Sequence, residues 1–247
     1  MNGEQVVNFL EQKGEQAVLV GYLGSQHFGL TDDLSDVDYL AYTVPELRDL
    51  LTNTNRNGNA GMGEGQTVNY NTLGSLARNI HKLPFNVLEV VSQPLYIEPD
   101  FKPVYEELRE LLLSKGGNSH CLKNLYFIGW RYYKDIHKES QGSGALHMKD
   151  GVNYKAVAKA VFYKELLETY HDTKMLMLYE SNEVKESIKQ TYLDIRLTGS
   201  YDRLEQLDEF YNNKVKQTYI KQTYKDDTDL DTNKVLDELT KYLKLKY

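Results

Sequence analysis

Apolar positions along the chain follow one pattern up to about residue 100 and another beyond it. Residues 5–13 place Val6, Val7 and Leu10 at helical spacing. Residues 17–23 form a continuous apolar run, as in a strand covered on both faces. Residues 38–44 form a second such run, and Pro45 suits the first turn of a helix over 46–51. Residues 53–65 are rich in Asn and Gly, which predicts a mobile loop. A weaker strand is predicted over 66–70 and a helix over 73–82, ended by Pro84. A fourth strand is predicted over 87–91, before Pro94. Helix and strand thus alternate, which predicts a small mixed sheet with helices packed on it.

After Pro103 the spacing is helical throughout. Amphipathic stretches cover 104–113, 122–136, 155–170, 183–193, 204–224 and 232–245, with a break at Gln141-Gly142-Ser143-Gly144. No strand run of comparable quality occurs there. The expected fold class is α+β, with a sheet-bearing core over residues 1–100 and an all-helical domain over 101–247. The phrase Lys-Gln-Thr-Tyr begins at 189, 216 and 221; its irregular spacing does not predict a structural repeat.

Composition narrows the function classes. A chain of 247 residues can bury a substantial core, in one domain or two. A formal charge of −7 argues against a general polyanion binder, while leaving room for a local basic groove. The single cysteine, Cys121, excludes an internal disulfide and a thiolate metal cage. No apolar run approaches a membrane span, and the first residues lack the basic-then-apolar layout of a signal peptide. A cytoplasmic setting is the expectation.

The densest chemistry lies in residues 21–40. The first apolar run ends in Gly24-Ser25, and after a short polar turn Ser35-Asp36-Val37-Asp38 opens the second. On a strand, alternate side chains share a face, so Asp36 and Asp38 point together while Val37 turns inward. Two adjacent carboxylates repel by several kcal/mol at low effective dielectric. They call for a shared proton or a cation, and hard oxygen ligands suit Mg²⁺, or Mn²⁺. A small-residue turn nearby can present backbone N–H groups to a phosphate. The combination points to metal-assisted phosphoryl or nucleotidyl transfer.

These residues resemble the DNA polymerase β-like nucleotidyltransferase superfamily. In it, Gly-Ser begins a helix after the first strand and contacts the triphosphate. Two Asp residues of the next strand bind metal, and a third carboxylate comes from a later strand. The resemblance gives Asp36 and Asp38 the metal role and Gly24, Ser25 and Ser35 the nucleotide contacts, with Gly29 also fitting the pattern. It extends thinly to a bacterial and phage group of predicted nucleotidyltransferases. Pro84 to Val91 resembles that group's Asn-Pro-x-x-Leu-Glu segment, and Leu193 to Tyr201 its late Ile-Arg-x-Gly segment. Gln26 stands where the group usually has Arg. Of its Lys…His…Arg pattern, Lys155 matches the Lys as a phosphate or substrate contact, while Lys159 and Phe162 replace the other two. No Asp stands out as the third carboxylate. Asn69 is the positional candidate but offers an amide; Glu64 and Glu89 are the acidic candidates, and Glu89 is taken as the third catalytic group.

Other polar and aromatic residues have blander readings. Lys155 and Lys159 lie one helical turn apart, and Lys159 reads as a solvated edge. Trp130, Tyr132 and Tyr133 read as core rather than as a base-stacking platform, and His27 as a loop residue. His120 and Cys121 lack further zinc ligands, and His137, His147 and His171 are scattered. The expected activity is transfer of a nucleoside monophosphate from an NTP to an acceptor hydroxyl on an RNA end, a protein or a small molecule. The alternative is a degenerate nucleotidyltransferase-fold protein that binds a nucleotide or partner as sensor, sponge or inhibitor; a purely structural role for the helical half is a third.

Overall fold

The computed structural model of the chain describes residues 2–30, 36–52, 54, 56–63, 65–138, 148–173, 182–213 and 230–247. The chain divides into two compact units, one of residues 1–117 with 229–247 and one of residues 118–228. These do not coincide with a division at residue 100. The first unit continues through a further helix and takes back the C-terminal one.

The first unit opens with α1 (Gly3–Glu11), whose start is closed by a capping box between Asn2 and Gln5. Then come β1 (Ala17–Tyr22), α2 (Gly24–His27), β2 (Val37–Thr43), α3 (Leu47–Thr52), β3 (Asn57–Gly63), β4 (Gln66–Thr72), α4 (Leu73–Asn79), α5 (Phe85–Ser92), β5 (Pro94–Ile97) and α6 (Lys102–Leu113). The strands form one sheet in the order β3-β4-β2-β1-β5. β1 runs antiparallel to β2 and β5, β3 antiparallel to β4, and only β2 and β4 run parallel. The mixed sheet with packed helices makes the protein α+β.

One face of the sheet is covered by α1, where Val6, Val7 and Leu10 meet Val20, Tyr39, Ala41 and Val68. Val37 packs against this cluster, so its side chain does turn inward. α5 packs against β1 so closely that a Cβ on Gly21 would come 2.9 Å from Val90 Cα.

Two sequence expectations are overturned here. Residues 87–91 are helical, inside α5, and not a fourth strand. Val87, Leu88, Val90 and Val91 are all buried, and a short run apolar on every side fits a buried helix as well as a buried strand. The strand beside β1 is instead β5, which begins at Pro94. Within the predicted loop, residues 57–63 form β3, an edge strand with alternating exposure. Its low propensity is overridden by pairing to β4, and Gly58 leaves space that the Tyr70 ring occupies.

α7 (Lys115–Lys134) crosses the boundary between units. The second unit contains the rest of it, the short hairpin β6 (Met148–Lys149) and β7 (Val152–Asn153), α8 (Tyr154–Thr173), α9 (Asn182–Thr198) and α10 (Leu204–Asn212). α8 is buried on nearly every side from Ala156 to Tyr163, as expected of a central helix, and α9 packs along it. The Tyr211 hydroxyl donates to Ala160 O at 2.7 Å, and the Tyr126 hydroxyl to Tyr211 O at 3.0 Å, so these two buried phenols are satisfied. The Gln141–Gly144 break, His147, and the second and third Lys-Gln-Thr-Tyr phrases lie outside the described residues.

α11 (Asn233–Lys246) belongs to the first unit and packs on α6. Tyr242 meets Phe101 edge-on at 5.2 Å, its hydroxyl donates to Glu98, and Lys246 Nζ lies 2.7 Å from Glu98 Oε1. Among the described residues, no helix is long and apolar enough to cross a membrane.

Candidate functional site

Antiparallel pairing of β1 and β2 brings the end of one strand beside the start of the other. Tyr22 pairs with Tyr39, and the next residue, Leu23, donates its N–H to Asp38 O at 2.9 Å. Gly24 follows at once and begins α2. Its φ of +59° is left-handed, a conformation in which a side chain would be strained. Phe28 N–H donates to Gly24 O, and Leu30 N–H to Ser25 O at 2.7 Å, closing the turn on itself. The Gly24-Ser25 bend and Asp38 therefore lie at the same end of the sheet.

Asp36 immediately precedes β2 and is exposed; Asp38, two residues on, is half-buried. Val37 N–H donates to Gly65 O at 3.0 Å, which ties the approach to β2 to the turn before β4. A Cβ on Gly65 would lie 3.2 Å from Asp36 Oδ1, so the bare glycine leaves room for that carboxylate.

The neighbour of Asp38 on the parallel strand is Thr67, whose hydroxyl donates to Asp38 Oδ1 at 2.5 Å. Asn69, the residue expected from sequence at this position, stands two residues further, opposite Leu40, and accepts from Asn59 Nδ2 at 2.7 Å. Sequence reasoning missed Thr67. Its only signal was the polar alternation Thr67, Asn69, Asn71 along β4.

Glu89 is buried on α5, not on a strand, and its Oε1 accepts the Gly24 N–H at 2.8 Å. The fold thus joins it to the glycine turn. His27 is also buried, with Nε2 3.3 Å from Ser92 Oγ of α5 and its ring edge-on to Phe28, which makes it a packed residue of α2 and not a loop residue.

Gly24, Ser25, Asp36, Asp38 and Glu89 all belong to the first unit; Lys155, half-buried near the start of α8, belongs to the second. Ser35 and Glu64 lie outside the described residues. Lys159 is buried, not a solvated edge, with its ammonium 5.7 Å from the Tyr132 ring centroid. Trp130 is 37% exposed, so it is a surface residue and not core. Burial pushes the Cys121 thiol up to about 12, which keeps it protonated.

Among the described residues, no group of three or more His, Cys, Asp and Glu side chains gathers around one point as a metal site would. Besides Glu89, which accepts the Gly24 N–H, the carboxylates at this end of the sheet are Asp36 and Asp38. Mg²⁺ is commonly held by one or two carboxylates with water and phosphate completing its shell, so this oxygen set fits such an ion. A separate cavity of about 230 Å³, lined by residues including Tyr42, Asn71, Asn79 and Asn86, lies at the opposite ends of β2 and β4 from Asp38. No known protein family matches the chain, and no curated protein matches it.

Proposed function

We propose that the protein is a metal-dependent nucleotidyltransferase of the DNA polymerase β-like kind. The observation that carries this reading is the Leu23–Asp38 hydrogen bond, which sets a Gly-Ser turn at a helix start beside an Asp-x-Asp strand. Asp36 and Asp38 would hold Mg²⁺ or Mn²⁺. Such an ion, when bound, supplies Lewis-acid neutralisation of phosphate charge and lowers the pKa of an acceptor hydroxyl. Ser25 would position the triphosphate through its hydroxyl and the backbone N–H groups that follow, with Gly24 supplying the left-handed bend. Thr67 holds Asp38, and Glu89 holds the Gly24 turn. In the reaction, the acceptor oxygen bonds to the α-phosphorus as the α–β phosphoanhydride breaks. Pyrophosphate leaves, and the hydroxyl proton passes to solvent.

One observation favours a second reading, nucleotide binding without turnover. The strand neighbour of Asp38 is a threonine and not a carboxylate, and Glu89 is engaged by a backbone N–H. Neither is placed as a free general base.

Incubation with labelled NTPs and Mg²⁺ or Mn²⁺ tests both readings. Pyrophosphate release or self-labelling that disappears in Asp36→Ala/Asp38→Ala supports transfer. Metal-dependent binding with no release supports the second reading, and no binding by either protein rejects both.

A further inference from the structure

The chain is acidic overall, yet residues 115–138 contain a single acid, Asp135, against Lys115, Lys123, Arg131, Lys134 and Lys138. On α7, Phe127, Trp130, Arg131 and Lys134 recur at steps of three and four and are all exposed, so they form one face. Phe127 is 48% exposed and Trp130 37%, although both are large apolar rings that burial would favour. Lys134 Nζ lies 5.6 Å from the Trp130 ring centroid, and Lys138 bridges Asp135. Lys138 thus balances the one acid of this stretch, and Arg131 and Lys134 form no ion pair with any described residue.

We propose that this face of α7 binds single-stranded nucleic acid. Exposed aromatic rings give stacking surfaces that accept any base, and neighbouring cations meet the phosphates; this is the composition of a single-strand platform. The charge excess selects the occupant. A nucleic acid strand supplies both phosphates for Arg131 and Lys134 and planar bases for Phe127 and Trp130. As acceptor for the transfer proposed above, such a strand presupposes that reaction; its binding does not.

Trp130 is the only tryptophan, so its emission, excited at wavelengths where tyrosine does not absorb, reports on this face. The full chain is titrated, without metal or NTP, with single-stranded RNA and DNA of about 12 nucleotides, a length within the usual site sizes. Expected are quenching of Trp130, a matching anisotropy rise of labelled oligonucleotide, and weakening with added salt. Arg131→Glu/Lys134→Glu and, separately, Phe127→Ala should weaken binding roughly tenfold or more. Trp130→Phe should retain most of the affinity and Trp130→Ala should not, and circular dichroism should show each variant folded. Asp36→Ala/Asp38→Ala should bind normally, which separates this result from the fate of the transfer reaction. Absence of binding at low salt, binding indifferent to these substitutions, or a self-association of the chain abolished by Phe127→Ala, marking a protein interface, would overturn the assignment.

Discussion

The Glu89 carboxylate accepts the backbone N–H of Gly24 at 2.8 Å, across 65 residues of sequence. Glu89 sits on α5 and Gly24 on the left-handed bend that opens α2, so one buried acid ties the helix layer to the turn beside the Asp-x-Asp strand. Removing the acid should leave a peptide N–H without its partner. Glu89→Ala is expected to lower unfolding free energy by about 1–3 kcal/mol, and Glu89→Gln, which keeps an acceptor oxygen, by clearly less. Urea denaturation distinguishes them; equal losses would mean that the hydrogen bond is not what matters.

Thr67 should matter to Asp38 more than its modest size suggests. Thr67→Val keeps the shape and removes the donor, and is expected to cost about 1 kcal/mol of stability. On the nucleotidyltransferase reading it should also weaken Mn²⁺-dependent nucleotide binding about tenfold, because partners behind metal ligands set their orientation. Thr67→Ser should restore both. Calorimetric titration with Mn²⁺ and a nonhydrolysable nucleotide is the measurement.

A pH dependence is expected in the second unit. Burial raises the Glu165 carboxyl from its ordinary 4.5 to about 7, with Lys164 opposing the shift and Glu168 adding to it. The folded state therefore binds this proton more tightly than the unfolded state. Its contribution is greatest at low pH, declines between about 4.5 and about 7, and is flat above that. Glu165→Gln should remove this slope, leaving the variant more stable than the parent at pH 8 and least different from it near pH 5. Unfolding curves of both proteins across that range would show it.

Deleting residues 230–247 should destabilise the first unit severely. Val235, Leu239 and Tyr242 of α11 are buried, and α11 packs on α6. At about 1.5–3 kcal/mol per buried side chain, their loss is on the order of 5 kcal/mol, comparable to the whole stability of many domains. Proteolysis of the truncated chain should cut within the sheet-bearing unit; unchanged resistance would contradict the packing.

Much of this architecture was legible because burial imprints a period. α1 and α6 follow helical apolar spacing, and the apolar runs of β1, β2 and α8 mark segments that must be covered. The Asn- and Gly-rich residues 57–63 have no such pattern, and become β3 through a ladder with β4 that local preference does not encode. Of the candidate site, Gly24, Asp36 and Asp38 were visible because they fall within 15 residues of one another in sequence. Thr67 was not, since its role is set by the register of two strands.

The sequence by itself determined where the chain must be buried and which short segment concentrates carboxylates beside a glycine turn, since side-chain polarity and spacing are local properties. Tertiary structure alone decided that residues 87–91 coil rather than extend, that Thr67 and not Asn69 meets Asp38, and that α11 returns to the first unit. The physical reason is that an apolar run states its need for cover without naming what covers it. Partners such as Thr67 and Asp38, 29 residues apart, or Glu89 and Gly24, 65 apart, are chosen only when strands register and helices pack.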